Sequence, residues 1–357
     1  MITEKGILRA AILRNELEND HVRWVIACDK FKDQIVYEVF DLTKNDWLGK
    51  ITEFNPDLLL VKPGGLTSSF KQLFDERLKI LSEIFEYKCF PTLNEVMIYE
   101  NKRYFSYWLK GNGIPHPETQ VFYFRQEAIE YINTTEFPLV GKVNIGGSGS
   151  GVKIIYNKAQ ALKYINDTFL GRGTSKRIGP NLQKPGILKR GSHYIFHPGD
   201  IFTKMNIYMK RRRDLQNHFV ILQKYIEHKY EWRVVRIGDS FFAHKKLKIG
   251  DKASGTLLKS YDNPPIAIFD FVKRLTDQFR FYSQAVDLFE AEEGFLVNEM
   301  QCIFGQSDPY QMLVNNKPGR YIYKNNEWLF EEGAFNINES YDLRVQAAIE
   351  LYKNSRI

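Results

Sequence analysis

The sequence predicts an α/β protein whose opening region, residues 1–95, builds a parallel sheet. Three observations carry this. Strand-like and helix-like stretches alternate through that region, as they do where crossover helices join parallel strands. "FKQLFDERLKILSEIFEY" (70–87) repeats its apolar residues at helical spacing, while "DLLLVKPGG" (57–65) is a continuous apolar run ending in a turn. And 357 residues with 43% hydrophobic content can build a large core divided into two or three domains or subdomains.

Within residues 1–95, "RWVIAC" (23–28) reads as a strand, 57–65 as a buried strand, 70–87 as a helix and "KCFPTL" (88–93) as a short strand. "EVMIYENKRYFSYWLKGNGIPHPETQVF" (95–122) reads as one helix that stops at Gly111–Gly113, followed by a strand. "QEAIEYI" (126–132) is a short helix. "FPLVGKV" (137–143) and "GVKIIY" (151–156) are strands, and "KAQALKYIND" (158–167) is helical.

Residues 171–214 break the pattern, with eleven Lys and Arg against two Asp and many turn formers. "HFVILQKYIEH", "YEWRVVRIG" and "SFFAHKKLKIG" then read as successive strands. "PPIAIFDFVKRLTDQF" (264–279) is a helix. "QAVDLFEAEEGFLVNEMQCIFG" (284–305) is a strand, an acidic turn at 290–294, and a strand. "ESYDLRVQAAIELYKNSR" (339–356) is a closing helix, and the chain has no internal repeat.

Composition excludes several classes. The three cysteines, Cys28, Cys89 and Cys302, are widely spaced and form no CxxC pair. That argues against a disulfide framework or a zinc site and fits a reducing compartment. Cys302 reads as a packed strand residue. The first twenty residues hold no apolar run suited to a signal peptide, and no window approaches the roughly 18 apolar residues of a membrane span. The expectation is a cytoplasmic protein. The formal charge of +7 concentrates in a basic run without a nucleic-acid-binding motif or aromatic platform, which disfavours nucleic acid as partner.

The sharpest local feature is "KVNIGGSGSGVKII" (142–155), with four glycines and two serines between two strands. Glycine costs about 0.5–1 kcal/mol inside regular structure, so a run of it marks a place where bare backbone is needed. Such a loop exposes N–H groups that can cradle an anion, or it is simply a hairpin tip. It is no Walker loop, since no GK[ST] occurs, and no dinucleotide fingerprint, since a strand follows it. Lys142, at the end of the preceding strand, can reach phosphate as a point charge. Asp287 and Glu299 lie among apolar neighbours, where a carboxylate must be paired or metal-bound. Glu299 and Gln301, two apart on a strand, share a face. With Asp287 they form a candidate Mg²⁺ site, the alternative being ion pairs with Lys or Arg.

Taken in order, these elements resemble the ATP-grasp superfamily, in particular its glutathione-synthetase-like and ribosomal-protein-glutamate-ligase-like branch. "FPLVGKVNIGGSGSGV", "VILQKYIEHKYEWRVVRIGDSFFAHKKL", "AVDLF" and "FLVNEMQ" carry the resemblance, which spans residues 99–305. It implies a parallel-sheet domain (1–95) followed by two α+β subdomains (96–226 and 227–357) that clasp ATP. It implies that Lys102 and Lys142 hold phosphates under a lid of Gly146, Gly147, Ser148, Gly149 and Gly151. Gln223, Lys224, Tyr225 and Ile226 would form the hinge that reads adenine, with Glu227 at the ribose. Asp287, Glu299 and Gln301 would bind Mg²⁺. Arg233, Lys246 and Lys252 are the catalytic candidates, with Lys245 and the Ser254–Gly255 turn beside the acceptor or the phosphate. Two departures are Lys224, where an acid is usual, and Gln301, where Asn is usual.

The implied activity is an ATP-dependent ligation forming a C–N bond from carboxylate and amine substrates through an acylphosphate. A weaker resemblance to ATP-grasp proteins of surface-polysaccharide biosynthesis, together with the basic segment, suggests an anionic sugar, lipid-linked or peptide acceptor. Superfamily members are often homodimers. The alternatives are a kinase-like phosphotransferase and a nucleotide-binding module with degraded catalysis.

Overall fold

The computed structural model describes residues 6–17, 19–65, 67–146, 151–172, 205, 209–210, 213–249, 252–253, 258–292, 294–306 and 308–357. The chain begins with β1 (Leu8–Arg14), α1 (Val22–Cys28), β2 (Ile35–Asp41), α2 (Trp47–Phe54), β3 (Leu58–Val61), α3 (Ser68–Lys79) and β4 (Lys88–Phe90). Its four strands form a parallel sheet in the order β2-β1-β3-β4. All of β3 is buried, as strands covered on both faces must be.

"RWVIAC" is a helix, contrary to the strand expected for it. Trp24, Ala27 and Cys28 are buried while Ile26 is 43% exposed, a spacing of three and four rather than two. The strand before it is "LRAAILR", β1. Residues 95–113 are likewise two helices rather than one, α4 (Leu93–Ile98) and α5 (Lys102–Gly111). Glu100 takes a φ of +49° at the break. Asn101 then caps α5 by accepting from the Tyr104 N–H.

A second, antiparallel sheet orders β5 (Thr119–Phe122), β8 (Val220–Lys224), β6 (Leu139–Lys142) and β7 (Val152–Ile155). Helices α6 (Arg125–Thr134) and α7 (Lys158–Phe169) complete a separate core containing Ile132, Leu139, Tyr164, Ile165 and Leu222.

The third sheet is built on β9 (Tyr230–Ile237), β10 (Ser240–Ile249), β13 (Ser283–Ala291) and β14 (Gly294–Gln301), in the order β14-β13-β9-β10. The pairs β11 (Lys252–Ala253) and β12 (Lys259–Ser260) add to β10. A hairpin of β16 (Lys317–Lys324) and β17 (Glu327–Glu332), with β15 (Leu313–Val314), extends the far edge. Helix α8 is Ile266–Gln278. The last helix, α9 (Tyr341–Lys353), returns to the first sheet's layer: Tyr341 meets Trp24 edge-on at 4.9 Å, and Lys30 pairs with Asp342. One continuous core joins the parallel sheet to the third sheet. No helix among the described residues is long and apolar enough to cross a membrane.

Candidate active site

The site begins with strand register. In the third sheet Arg233 lies opposite Asp287 on one side and His244 on the other, Lys246 opposite Glu231, and Glu299 opposite Asp287. Cross-strand partners share a face, so one face carries this whole set. Asp287 is fully buried and answers the alternative posed by its apolar surroundings: it is ion-paired. Arg233 donates through Nε to Oδ1 at 2.8 Å and through Nη2 to Oδ2 at 2.9 Å, and Lys246 Nζ reaches Oδ2 at 2.8 Å. Arg233 Nη2 also donates to Gln301 Oε1 at 3.3 Å. Burial opposes charge on Asp287, but Arg233 and Lys246 outweigh it and hold the carboxyl well below the usual range. Burial likewise opposes charge on Lys246, and Asp287 and Glu231 keep it protonated.

Register shifts between Asp287 and Leu288, whose partners are Glu299 and Val297, so Asn298 is the extra residue of a β-bulge. In a regular strand Asn298 and Glu299 would point to opposite faces. Here both reach the site. Asn298 accepts from Lys142 Nζ at 3.0 Å and donates to Glu231 at 3.3 Å, while Glu299 is 3.9 Å from Lys102 Nζ.

Lys142 belongs to the second sheet, so its bond to Asn298 crosses the cleft between the two antiparallel sheets. Burial lowers its pKa to about 8, with Glu299 partly offsetting and Lys102 adding to the fall. Lys102, the first residue of α5, donates from Nζ to the Gly146 carbonyl at 2.8 Å and stands 3.7 Å from Glu100. Glu100 in turn accepts from the Gly146 N–H at 3.2 Å. At the far end of the loop Gly151 has a φ of +79°, and a Cβ there would lie 2.2 Å from Val143 Cγ2, so only glycine fits.

The structure thus brings Lys102, Lys142, Gly146, Arg233, Lys246, Asp287, Glu299 and Gln301 into one cleft. Gly147, Ser148 and Gly149 lie outside the described residues, as do Ser254, Gly255 and most of 171–214. Lys252 pairs through its backbone with Ile249, and its side chain is outside the description. Gln223 is buried, its side chain donating to Thr119 Oγ1 at 2.9 Å. Lys224 and Glu227 are exposed. The Tyr225 hydroxyl accepts from Lys248 Nζ at 2.7 Å, and the Ile226 carbonyl accepts from His228 Nδ1 at 2.7 Å.

Four site residues escaped the sequence reading: Glu100, Glu231, His244 and Asn298. Glu231 had a readable signal, since it stands two before Arg233 on a strand. It accepts from Lys246 at 2.7 Å. His244 is buried, with its pKa lowered to about 3 chiefly by burial. Its Nδ1 lies 2.9 Å from the Gln311 carbonyl, which can only accept, so Nδ1 carries the proton.

No family model and no curated protein matches the sequence. Likeness appears among solved structures. A D-alanine–D-alanine ligase from Bacillus anthracis is similar over 98% of both chains, with TM-score 0.56 and 12% identity. A carboxyaminoimidazole ribonucleotide synthase from Aspergillus clavatus, complexed with ATP, is similar over 97% of this chain and 77% of its own, with TM-score 0.56 and 11% identity. A RimK domain ATP-grasp protein from Sphaerobacter thermophilus is similar over 82% and 90%, with TM-score 0.50 and 14% identity. The chain has the ATP-grasp fold.

Proposed function

We propose that this protein is an ATP- and Mg²⁺-dependent ligase that activates a carboxylate as an acylphosphate and joins it to an amine. The observation that carries this reading is the meeting of two sheets at Lys142 and Asn298. It sets the lysines Lys102 and Lys142 against Asp287 and Glu299. Lysines on one wall and, on the other, two carboxylates interleaved with Arg233 and Lys246 suit a triphosphate with a divalent metal.

The residues fit magnesium by chemistry. Among the described residues no cluster of three His, Cys, Asp or Glu side chains has metal-ligand spacing. Asp287, Glu299 and the Gln301 amide are instead hard oxygen donors on adjacent strands, and Mg²⁺ commonly takes one or two carboxylates with phosphate and water. When bound, the metal would neutralise phosphate charge. The chain does the rest. Lys102 and Lys142 would hold phosphate oxygens, the N–H groups of the glycine loop would cover them, and residues 223–226 would face the base. Arg233 and Lys246 would steady the transferring group. Phosphoryl transfer needs positioning and charge stabilisation more than a covalent catalyst. The basic excess of residues 171–214, eleven Lys and Arg against two Asp, favours an anionic acceptor, such as a sugar acid, a lipid-linked phosphate or an acidic peptide.

Thermal shift tests the reading. Ligand at a hundredfold excess over Kd stabilises the native state by about 2.7 kcal/mol. The wild type should shift with ATP and Mg²⁺, and Glu299→Ala should lose the metal-dependent part. No shift with ATP would overturn the reading. Phosphate release with a carboxylate–amine pair supports ligation, whereas ADP with a stable phosphorylated product marks a phosphotransferase instead.

A further inference from the structure

Eight charged side chains line the cleft. Lys102, Lys142, Arg233 and Lys246 stand among Glu100, Glu231, Asp287 and Glu299, and their formal charges cancel. A site already neutral offers little net attraction to a free cation or to a free polyanion. It suits a ligand that brings both signs at once, a cation for the carboxylates and an anion for the lysines and the arginine.

The balance is tightest at Asp287. Both of its oxygens are engaged, Oδ1 by Arg233 Nε and Oδ2 by Arg233 Nη2 and Lys246 Nζ. The same guanidinium donates to Gln301 Oε1. One arginine therefore holds two of the three oxygen donors assigned above to the metal. A divalent cation arriving alone has to displace that bidentate pair and then sit beside Lys246 and the freed Arg233. Like charges at such distances in a buried site are costly. A triphosphate arriving with the metal changes this, because its oxygens accept from Arg233 and Lys246 and release the carboxylate.

We propose that Arg233 and Lys246 are positioning residues that act as stand-in cations on Asp287 and Gln301, so that metal enters only together with nucleotide. The inference rests on the ATP-dependent reading and adds an ordering to it. At Asp287 one set of cations is exchanged for another, and the carboxylate is charged throughout.

Mn²⁺ is the probe, followed by the loss of its free-ion paramagnetic resonance signal, with and without a non-hydrolysable ATP analogue. A titration without protein corrects for the metal–nucleotide complex in solution. The wild type should bind Mn²⁺ more tightly with the analogue than without, by a factor in the usual coupling range of roughly 5–150. Arg233→Met should bind Mn²⁺ alone several-fold more tightly than the wild type does, and its coupling should shrink. A loosened site would also free these carboxylates, so the gain counts only in a variant whose circular dichroism and urea melt match the wild type. Should Arg233→Met fail to fold, Lys246→Met gives the same readout. Equal Mn²⁺ affinity with and without the analogue in the wild type overturns the proposal. So does a natively folded Arg233→Met with no gain. If the analogue itself does not bind under any condition, the ATP reading fails, an outcome distinct from either of these.

Discussion

Lys142 is a part-buried lysine whose pKa is lowered toward the working pH of most enzymes, to about 8. Burial in the cleft disfavours its charge, and an anion placed at Nζ would restore it. At pH 8 about half of the unliganded molecules carry a neutral Lys142. Nucleotide binding should therefore take up about half a proton at pH 8 and close to none at pH 6, where the lysine is already charged. Calorimetry of ATP binding in two buffers of different ionisation enthalpy measures this directly. Lys142→Met should abolish the uptake, and equal apparent enthalpies in both buffers at pH 8 would remove Lys142 from the phosphate site. Lys142, Asp287, Glu299 and Gln301 were legible as residue types in short patterns. The partners that set their charge, Glu231 and Asn298, were less so, because what selects them is neighbouring strands rather than neighbouring sequence.

At the scale of elements, the helices and strands with a clean period were readable, and breaks in the period were not. Alternation in "FLVNEMQ" assigns Asn298 and Glu299 to opposite faces, and only the bulge brings both inward. The α4–α5 break falls within "IYENK", where no Gly or Pro marks it. The hairpin of β16 and β17 did carry a signal: Asn325 and Asn326, at φ +53° and +64°, are the paired left-handed residues of a tight two-residue turn. The bulge carries a testable consequence. Asn298→Ala removes the acceptor of Lys142 and a donor to Glu231. Glu231 keeps Lys246, so the loss falls on the Lys142 ammonium, and leaving a part-buried charged donor without its acceptor costs about 1–3 kcal/mol. Urea denaturation should show a loss of that size, with weaker ATP binding because Lys142 is no longer aimed. A loss under about 0.5 kcal/mol, the usual scatter of surface substitutions, would mean that water replaces the amide without penalty.

Across the whole molecule, the parallel sheet and the third sheet were each foreseeable, but not the seam that joins them. That seam includes Glu95, which caps α4 and meets Ser283 at a separation of 188 residues, a contact no local pattern encodes. Glu95 is fully buried. It accepts from the Ser283 N–H at 2.6 Å and the Thr92 N–H at 2.8 Å, and Ser283 begins the strand that carries Asp287. Burial raises its pKa from 4.5 to about 7, with the two N–H donors partly offsetting the rise. The folded state therefore holds this proton more tightly than the unfolded chain does. Its contribution to stability is fully present below about pH 4.5 and is lost as pH rises through 7. The shift corresponds to a loss of about 3 kcal/mol between those limits. Glu95→Gln keeps an amide oxygen facing the seam and has nothing to titrate. Urea melts of both proteins from pH 5 to 7.5 should thus show the wild type losing stability relative to Glu95→Gln as pH rises. A stability difference that stays flat, or moves the other way, would mean that the two N–H donors outweigh burial and that Glu95 stays ionised at the seam.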